Sequence, residues 1–254
     1  MMDLAEKHGY IYLLGLGPLT VLFVHEPDLI ADILGRSHAQ HYIKPAIFGA
    51  SLKPLIGAHN ILVSEGLEHE RARKMLNPAF HFTNLRSMVS IMADQTSKAI
   101  DEHFISSTRK PVVDLHAELN TLTLVIIASS AFDRGFETMT DAKKIVCQAF
   151  TTVLEAIQYR TMHMINQVPI LIRLPFWKKN IIDRGCRDVS EFVDQIIADR
   201  RCGRSDSLST NNDILDLLLS AIDAQGEPFT DQEIEEQALT FVFAGHETAG
   251  NLMA

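Results

Sequence analysis

The hydrophobic pattern of the chain changes from strand spacing to helix spacing near the N-terminus. Residues 10–24, YIYLLGLGPLTVLFV, are rich in β-branched and aromatic residues on both sides of Gly-Leu-Gly-Pro, which predicts two strands joined by a turn. Pro27 then stands in the first turn of a short predicted helix. Beyond it the apolar positions follow helical periods, so the chain is predicted to be mainly α with a small N-terminal β-hairpin.

Apolar residues recur at the i, i+3, i+4 spacing of amphipathic helices in three later segments. The first of these apolar faces comprises Leu85, Met88, Val89, Met92, Ala99 and Ile100. The second face comprises Val189, Phe192, Val193, Ile196 and Ile197. The third face comprises Ile214, Leu217, Leu218, Ala221 and Ile222. The polar residues 202–213 lie between the second and third segments and predict a loop.

The last predicted helix has a well-marked start. Thr230 and Glu233 have the T-x-x-E spacing of a capping box, in which each residue satisfies a backbone N–H of the other. Acidic residues crowd the first turns, where the positive end of the helix dipole favours them. We therefore expect a helix from about Asp231 past Thr248.

This last helix carries residues that a purely structural buried helix does not need. One side, at 3.6 residues per turn, comprises Phe241, Ala244, Gly245, Thr248 and Leu252. Glycine in a helix interior costs about 1 kcal/mol relative to alanine, so Gly245 indicates that another group approaches the backbone closely. Thr248 is placed to donate a hydrogen bond to the carbonyl of Ala244. The alternative is a glycine that only packs helices, with His246 and Glu247 facing solvent.

The sequence from Ala244 to Thr248, AGHET, resembles the A/G-G-x-D/E-T motif on the long central helix of the cytochrome P450 family, the haem-thiolate monooxygenases. In that family the small pair lets the helix lie across the haem face and leaves room for dioxygen. The resemblance implies cofactor-binding roles for Ala244 and Gly245. It also implies catalytic roles for Glu247, as proton source, and for Thr248, as hydrogen-bond partner.

A second resemblance lies upstream, in residues 64–80, SEGLEHERARKMLNPAF. This segment is similar to the family's helix that reaches a haem propionate through a W/H-x-x-x-R pair, which here is His69 and Arg73. The two residues are four apart, on one helical face, and an arginine fork suits a carboxylate. Taken alone, a basic amphipathic helix would be the simpler interpretation, but the order of the two motifs favours the family.

Two further segments resemble the family with less specificity. Residues 111–133 are similar to a buried helix, and residues 142–200 to the two helices and loop that cover the substrate pocket. Apolar residues of this second segment would line the pocket, face a membrane or form ordinary core: Met162, Met164, Phe176 and Trp177.

The cysteines do not match the family's haem-ligand loop, F-x-x-G-x-x-x-C-x-G. Cys147, Cys186 and Cys202 all lack the glycine four positions earlier, and no E-x-x-R follows the central helix. Their spacing also gives neither a zinc site nor a disulfide framework. Neither HETAG nor HERAR has the second histidine of a zinc protease motif, so no metal ligand is assigned.

Residues 1–254 are therefore predicted to be the N-terminal half of a cytochrome P450 domain, with a cytochrome P450-like fold truncated within the long central helix. The complete protein would insert one oxygen atom of O2 into an apolar organic substrate, with haem as cofactor and electrons from a reductase. The chain as given is expected to be inactive, to expose apolar surface on its last helix, and to be poorly folded or aggregation-prone. The alternatives are a non-catalytic helical binding or interaction protein that keeps the half-fold, and an unrelated all-α module.

Charge and hydropathy limit the kinds of partner and the cellular location that the sequence predicts. The net charge is −9, and residues 205–254 hold ten acidic residues without Lys or Arg, which argues against nucleic acid as a ligand. No stretch is predicted to span a membrane, and the first residues do not form a signal peptide. For a full-length eukaryotic form the family implies the cytoplasmic face of the endoplasmic reticulum membrane. Membrane association of the chain as given stays open, and its expected location is the cytoplasm.

Overall fold

The chain divides into two compact units, Met1–Pro45 and Ala46–Ala254. The structure, a computed structural model, describes residues 2–16, 19–35, 38, 41–101, 114–132, 140–163, 171, 174–175, 177–202 and 213–253. Met164 and Phe176 lie outside the described residues, as do the side chains of Cys147, Met162 and Glu247.

The first unit is built on a two-stranded antiparallel sheet. Its elements are α1 (Met2–His8), β1 (Ile11–Leu16), β2 (Leu19–Val24) and α2 (Pro27–Leu34). The two strands pair in one continuous register. Tyr12 is buried, with its ring stacked on that of Phe23 at 5.1 Å between centroids. The predicted hairpin and the helix opened by Pro27 are therefore confirmed.

The second unit is helical, as predicted. Its helices are α3 (Ala46–Ile56), α4 (Gly66–Leu76), α5 (Phe82–Ala99), α6 (Leu115–Phe132), α7 (Thr140–Met162), α8 (Lys179–Arg201), α9 (Ile214–Ser220) and α10 (Asp231–Met253). A 3-10 turn over Asn77–Phe80 follows α4. Pro78 in this turn cannot supply the backbone N–H that another turn of α-helix requires.

The core of the second unit lies where α6 packs against α10 and α7 packs against α8. Phe150 on α7 is completely buried there. On α8 every residue of the predicted apolar face is buried: Val189, Phe192, Val193, Ile196 and Ile197. Each square ångström of apolar surface removed from water contributes about 25 cal/mol. The helical period of α8, read from sequence, is therefore confirmed by its packing.

The apolar face of α5 is mostly exposed. Met88 is buried, whereas the other large apolar residues of the face are exposed: Leu85, Val89, Met92 and Ile100. The helix itself is confirmed, but the described residues leave this face largely uncovered. The exposed apolar surface expected from the sequence concerns the last helix, where Leu252 is 87% exposed, and not this face. The tendency of the chain to aggregate stays a prediction.

The helix α9 ends earlier than its apolar spacing indicates. It ends at Ser220, and Ile222 is 65% exposed and forms an isolated β-bridge with Pro228. The physical reason is Asp223, whose Oδ1 atom accepts hydrogen bonds from the backbone N–H groups of Gln225 and Glu227, both at 2.9 Å. These side-chain hydrogen bonds stabilise a turn in place of a further helical turn.

One described helix, α6, is long and apolar enough to cross a membrane, although no such stretch is predicted from the sequence. Core helices of soluble proteins meet the same criteria. In this structure 44% of the helix is buried, and α10 is its main packing partner. We therefore describe α6 as a core helix of the second unit.

Candidate functional site

The start of α10 is fixed by its capping box. The backbone N–H of Thr230 donates to the Oε2 atom of Glu233 at 2.8 Å, and the backbone N–H of Glu233 donates to Oγ1 of Thr230 at 3.2 Å. The predicted box is therefore confirmed, and α10 runs from Asp231 to Met253. Two of the otherwise unsatisfied backbone N–H groups at this helix end are paired.

One side of α10 is open. Ala244 and Thr248 are exposed, and Phe241 is half-buried one turn earlier. The Oγ1 atom of Thr248 donates to the carbonyl oxygen of Ala244 at 2.6 Å, as predicted. A small side chain followed by a hydroxyl held against the helix leaves space beside the backbone on this face.

Another side of α10 packs tightly against α6. A Cβ atom at Gly245 would lie 2.7 Å from Cγ1 of Ile127, and one at Gly250 would overlap the side chain of Asn120. A close approach to Gly245 is therefore found, and the approaching group in this structure is α6, as the alternative of a helix-packing glycine predicts. The contact of Gly245 with a cofactor stays a prediction.

His246 lies in the interface between α10 and α6, so the alternative that it faces solvent is wrong. It is 2% exposed, and its Nδ1 atom lies 3.3 Å from Oγ1 of Thr123. Its ring meets Phe150 edge-on, at 6.1 Å between centroids. The signal in the sequence is the helical spacing from Val242 to His246, which places both on the buried side. The backbone of Glu247 is helical, and its side chain lies outside the described part of the chain.

The predicted propionate pair lies on α4. His69 is half-buried and Arg73 is exposed. The chain then continues through the 3-10 turn to Phe80, whose ring lies 5.5 Å from that of Phe241 between centroids. This contact joins the end of the α4 segment to α10 one turn before Ala244. The structure thus brings the two predicted motifs onto neighbouring elements.

Arg71, between His69 and Arg73, belongs to neither of the motifs predicted from the sequence. Its Nε atom donates to Oδ2 of Asp223 at 2.8 Å and its Nη1 atom to Oε1 of Glu233 at 2.6 Å. The hydrogen bond with Asp223 raises the pKa of the guanidinium and lowers the pKa of the carboxyl. Both acidic partners lie more than 150 residues away, so no local pattern identifies them.

A family model described as Cytochrome P450 matches residues 1–253. The chain belongs to the cytochrome P450 family. It is 28% identical over 251 residues to human Cytochrome P450 4F12, covering 93% of this chain and 47% of that protein. It is 30% identical over 265 residues to human Cytochrome P450 4F11, covering 99% of this chain and 49% of the relative. The cyclooctat-9-en-7-ol 5-monooxygenase of Streptomyces melanosporofaciens is 27% identical, with coverages of 97% and 50%.

Solved structures agree on the fold. The retinoic acid bound cyanobacterial CYP120A1 superposes with a TM-score of 0.76 at 20% identity, covering 97% of this chain and 51% of that one. The heme domain of a cytochrome P450DA mutant superposes with a TM-score of 0.78 at 24% identity, with coverages of 99% and 53%. The predicted cytochrome P450-like fold is confirmed, and the chain spans about half the length of the relatives it matches.

Some of the residues present fit the haem that the P450 family uses, and the described thiols do not. The open side of α10 is lined by Ala244 and Thr248, and the guanidinium of Arg73 is exposed on α4. Burial raises the pKa of the Cys186 thiol to about 12, which disfavours the thiolate form that an iron ligand has. Cys202 is exposed at the end of α8. Among the described residues, no three His, Cys, Asp or Glu side chains are grouped for a metal ion.

Residues 57–63 lie beside α10. Hydrogen bonds from their backbone N–H groups to side chains, and not strand pairing, fix their path. Asn60 is fully buried, and its Oδ1 atom accepts from the backbone N–H groups of Leu62 and Val63 at 3.0 and 3.2 Å. From α10, Glu236 accepts the N–H of His59 and Gln237 accepts the N–H of Ile61. The path of this P450 segment is therefore fixed by three buried polar side chains: Asn60, Glu236 and Gln237.

Proposed function

We propose that this chain is the oxygen-side half of a haem-thiolate monooxygenase. The whole enzyme inserts one oxygen atom of O2 into an apolar organic substrate. Family membership supports this reaction class. The observation that carries the proposal is the open side of α10, where Thr248 donates to the Ala244 carbonyl beside an uncovered helix face. Haem bound against this face would supply the redox-active iron that activates dioxygen.

Residues of both α4 and α10 would contact the haem. Arg73 binds a propionate carboxylate through its guanidinium fork, which keeps its charge at any physiological pH. His69, four residues earlier on the same face of α4, would bind a haem propionate together with Arg73. Ala244, on the open side of α10, has no side-chain atom beyond Cβ, so the macrocycle and dioxygen could lie close to the helix there. Gly245 has no side chain and packs against α6, so its cofactor-binding role would be to bring the backbone of α10 close to its neighbours.

Thr248 and Glu247 are the residues proposed to supply protons to the oxygen site, Thr248 by hydrogen bonding and Glu247 by proton transfer. The hydroxyl of Thr248 donates to the Ala244 carbonyl, which leaves the lone pairs of Oγ1 to accept a proton donor at the oxygen site. Glu247, the neighbouring residue, exchanges protons with solvent and delivers them toward that site. A proton supplied at the right atom directs electrons into product formation.

The remaining parts of the proposal concern the whole protein. We propose a reductase as electron donor and a small apolar molecule as substrate. A full-length eukaryotic form would lie on the cytoplasmic face of the endoplasmic reticulum membrane. The 254 residues by themselves are proposed to be inactive, because none of their cysteines has the sequence of a haem-ligand loop.

The first test concerns cofactor binding. The mature transcript is sequenced past the codon for Ala254, and the protein it encodes is expressed with haem. We expect the carbon monoxide complex of the reduced protein to have the absorption spectrum of thiolate-ligated haem. A whole protein that takes up no haem would contradict the proposal and favour a non-catalytic interaction protein.

The second test concerns Thr248 in the haem-loaded whole protein. Thr248→Ala removes the hydroxyl, so electrons should be consumed with less product formed per electron. Thr248→Ser keeps a hydroxyl at the same atom and is the matched control, with near-normal coupling expected. Equal coupling in the wild type and in Thr248→Ala would remove the role given to Thr248.

A further inference from the structure

Arg71 points away from the predicted propionate pair. It stands two residues after His69 and two before Arg73, and two residues of an α-helix correspond to a rotation of about 200°. His69 and Arg73 therefore share one face of α4, and Arg71 lies on the opposite face. A side chain in this position can hold the helix without contacting the cofactor.

The contacts of Arg71 converge on one short part of the chain. Besides Asp223 and Glu233, its Nη2 atom donates to the carbonyl oxygen of Pro228 at 3.0 Å. Its guanidinium also lies 5.4 Å from the centroid of the Phe229 ring. The side chain is 29% exposed, and those of Asp223 and Glu233 are 11% and 17% exposed. Partly buried pairs of this kind are screened less by solvent than surface pairs.

Both acidic partners of Arg71 also organise backbone. Glu233 accepts the N–H of Thr230 through Oε2 and the Nη1 atom of Arg71 through Oε1. Asp223 accepts two turn N–H groups through Oδ1 and the Nε atom of Arg71 through Oδ2. Each carboxylate thus couples Arg71 to the segment that begins α10.

We propose that Arg71 is a positioning residue that fixes α4 to the start of α10. It thereby keeps Arg73 on α4 at a fixed position relative to Thr248 on α10. The inference rests on the proposed function, because it concerns where the haem-binding side chains stand relative to one another. Arg71 itself touches neither cofactor nor substrate. Its role is to join the helix that binds the propionate to the helix that carries the oxygen motif.

The geometry requires an arginine. The planar guanidinium donates from Nε, Nη1 and Nη2 to three separate acceptors. Lysine carries its charge at one atom and cannot reach all three acceptors at once. Arg71→Lys should therefore keep the charge but hold the two helices together only in part.

The experiment uses the haem-loaded whole protein and compares Arg71→Met, Arg71→Lys and Glu233→Gln with wild type. The readouts are the rate of haem transfer to apomyoglobin and amide hydrogen exchange over residues 66–76 and 230–236. We expect Arg71→Met to speed haem transfer by about tenfold, the equivalent of one charged hydrogen bond. Exchange should rise in both segments together. Arg71→Lys should lie between Arg71→Met and wild type.

Glu233→Gln is the milder variant and serves if Arg71→Met does not fold. Glutamine retains the acceptor that the capping box needs but removes the charge that faces Arg71, so a smaller increase in haem transfer is expected. The control for general destabilisation is Ile196→Ala, a core substitution in α8 studied at an equal distance below its Tm. Its haem transfer should stay close to wild type.

Two results would overturn the inference. One is haem transfer in Arg71→Met and Glu233→Gln at the wild-type rate. The other is an equal increase in Ile196→Ala, because this would reduce Arg71 to a stabilising residue. Failure of the proposed function looks different: the wild-type whole protein would take up no haem, whereas the exchange result would still report whether Arg71 joins the two segments.

Discussion

The Oγ1 atom of Thr123 lies 3.3 Å from Nδ1 of His246 and 3.3 Å from the carbonyl oxygen of the same residue. The middle residue of the AGHET sequence is therefore an anchor between α10 and α6. With His246 turned inward, Ala244 and Thr248 stand on the exposed side of the helix. The rotation of α10 about its axis, and with it the direction of the oxygen-site residues, is set by this buried contact.

Thr123→Val tests this anchor. The substitution keeps the shape of the side chain but removes a buried hydroxyl that also lies 3.0 Å from the carbonyl of Asn120. We expect the free energy of unfolding to fall by about 1–3 kcal/mol, the range for a buried polar group that loses its partner. Urea unfolding followed by circular dichroism measures this value.

The matched control is Thr121→Val, on the same helix. Thr121 is exposed, and its hydroxyl donates to the carbonyl of Ala117 at 2.9 Å. A surface substitution of this kind changes stability by less than about 0.5 kcal/mol. Equal effects at the two positions would show that the His246 contact contributes nothing to stability.

Gly245→Ala tests the close packing of α10 on α6. Alanine is the better helix former by about 1 kcal/mol, but its Cβ would lie 2.7 Å from Cγ1 of Ile127. We expect the clash to outweigh the propensity, with a net loss of about 1–3 kcal/mol. Thermal unfolding of the single variant, and of the double variant with Ile127→Ala, measures the coupling of the two residues.

Gly49→Ala is the control for this glycine. Gly49 lies inside α3, and nothing stands within 4 Å of a Cβ placed there. This variant should be stabilised by up to about 1 kcal/mol, the propensity gain alone. If Gly245→Ala also stabilises the protein, or if Ile127→Ala leaves its cost unchanged, α6 is not the group that requires glycine.

The free energy of unfolding is expected to depend on pH through the buried carboxyl of Glu235. Burial raises the pKa of its carboxyl above the ordinary value of 4.5, and the hydrogen bond from Ser190 opposes this only in part. Because the folded-state pKa is raised, the favourable contribution of Glu235 to the free energy of unfolding is present below pH 4.5. It is lost as pH rises through the folded-state pKa. At pH 7 the charged group therefore lowers the free energy of unfolding.

Glu235→Gln should raise the Tm at pH 7, and the gain should vanish below about pH 4.5, the ordinary carboxyl value. Differential scanning calorimetry across this range measures it. Glu191→Gln on α8 is the control, because that glutamate is exposed and its replacement should give no comparable gain. A gain of the same size at pH 4 and pH 7 would rule out ionisation of Glu235 as the cause.

Local signals in the sequence predict the fold where neighbours along the chain decide it. The capping box of Thr230 and Glu233, the hairpin and the buried face of α8 depend on residues within one or two turns of each other, and all three are confirmed. The hydrogen bond from Thr248 to Ala244 is of the same kind. The cytochrome P450 motifs were recognisable for the same reason, because each occupies a few consecutive residues.

Long-range partners could not be predicted. Arg71 pairs with two acids more than 150 residues later, and nothing near it in sequence indicates these partners. The spacing of His246 from Val242 indicates the buried side of α10, but its partner Thr123 lies 123 residues earlier in the chain, so no local pattern identifies that contact. The end of α9 depends on Asp223, a side chain beyond the helix that the apolar spacing does not take into account.

The side-chain anchoring of residues 57–63 has a consequence for how this protein can change over evolutionary time. Asn60, Glu236 and Gln237 set the path of the segment through backbone N–H groups, which every residue except proline provides. The exposed side chain of His59, whose Nδ1 atom lies 2.8 Å from Oε1 of Glu68, makes none of these hydrogen bonds, so its replacement leaves them in place. New surface chemistry can arise beside α10 by single substitutions, whereas replacing one of the three anchors would remove a hydrogen bond that sets the path.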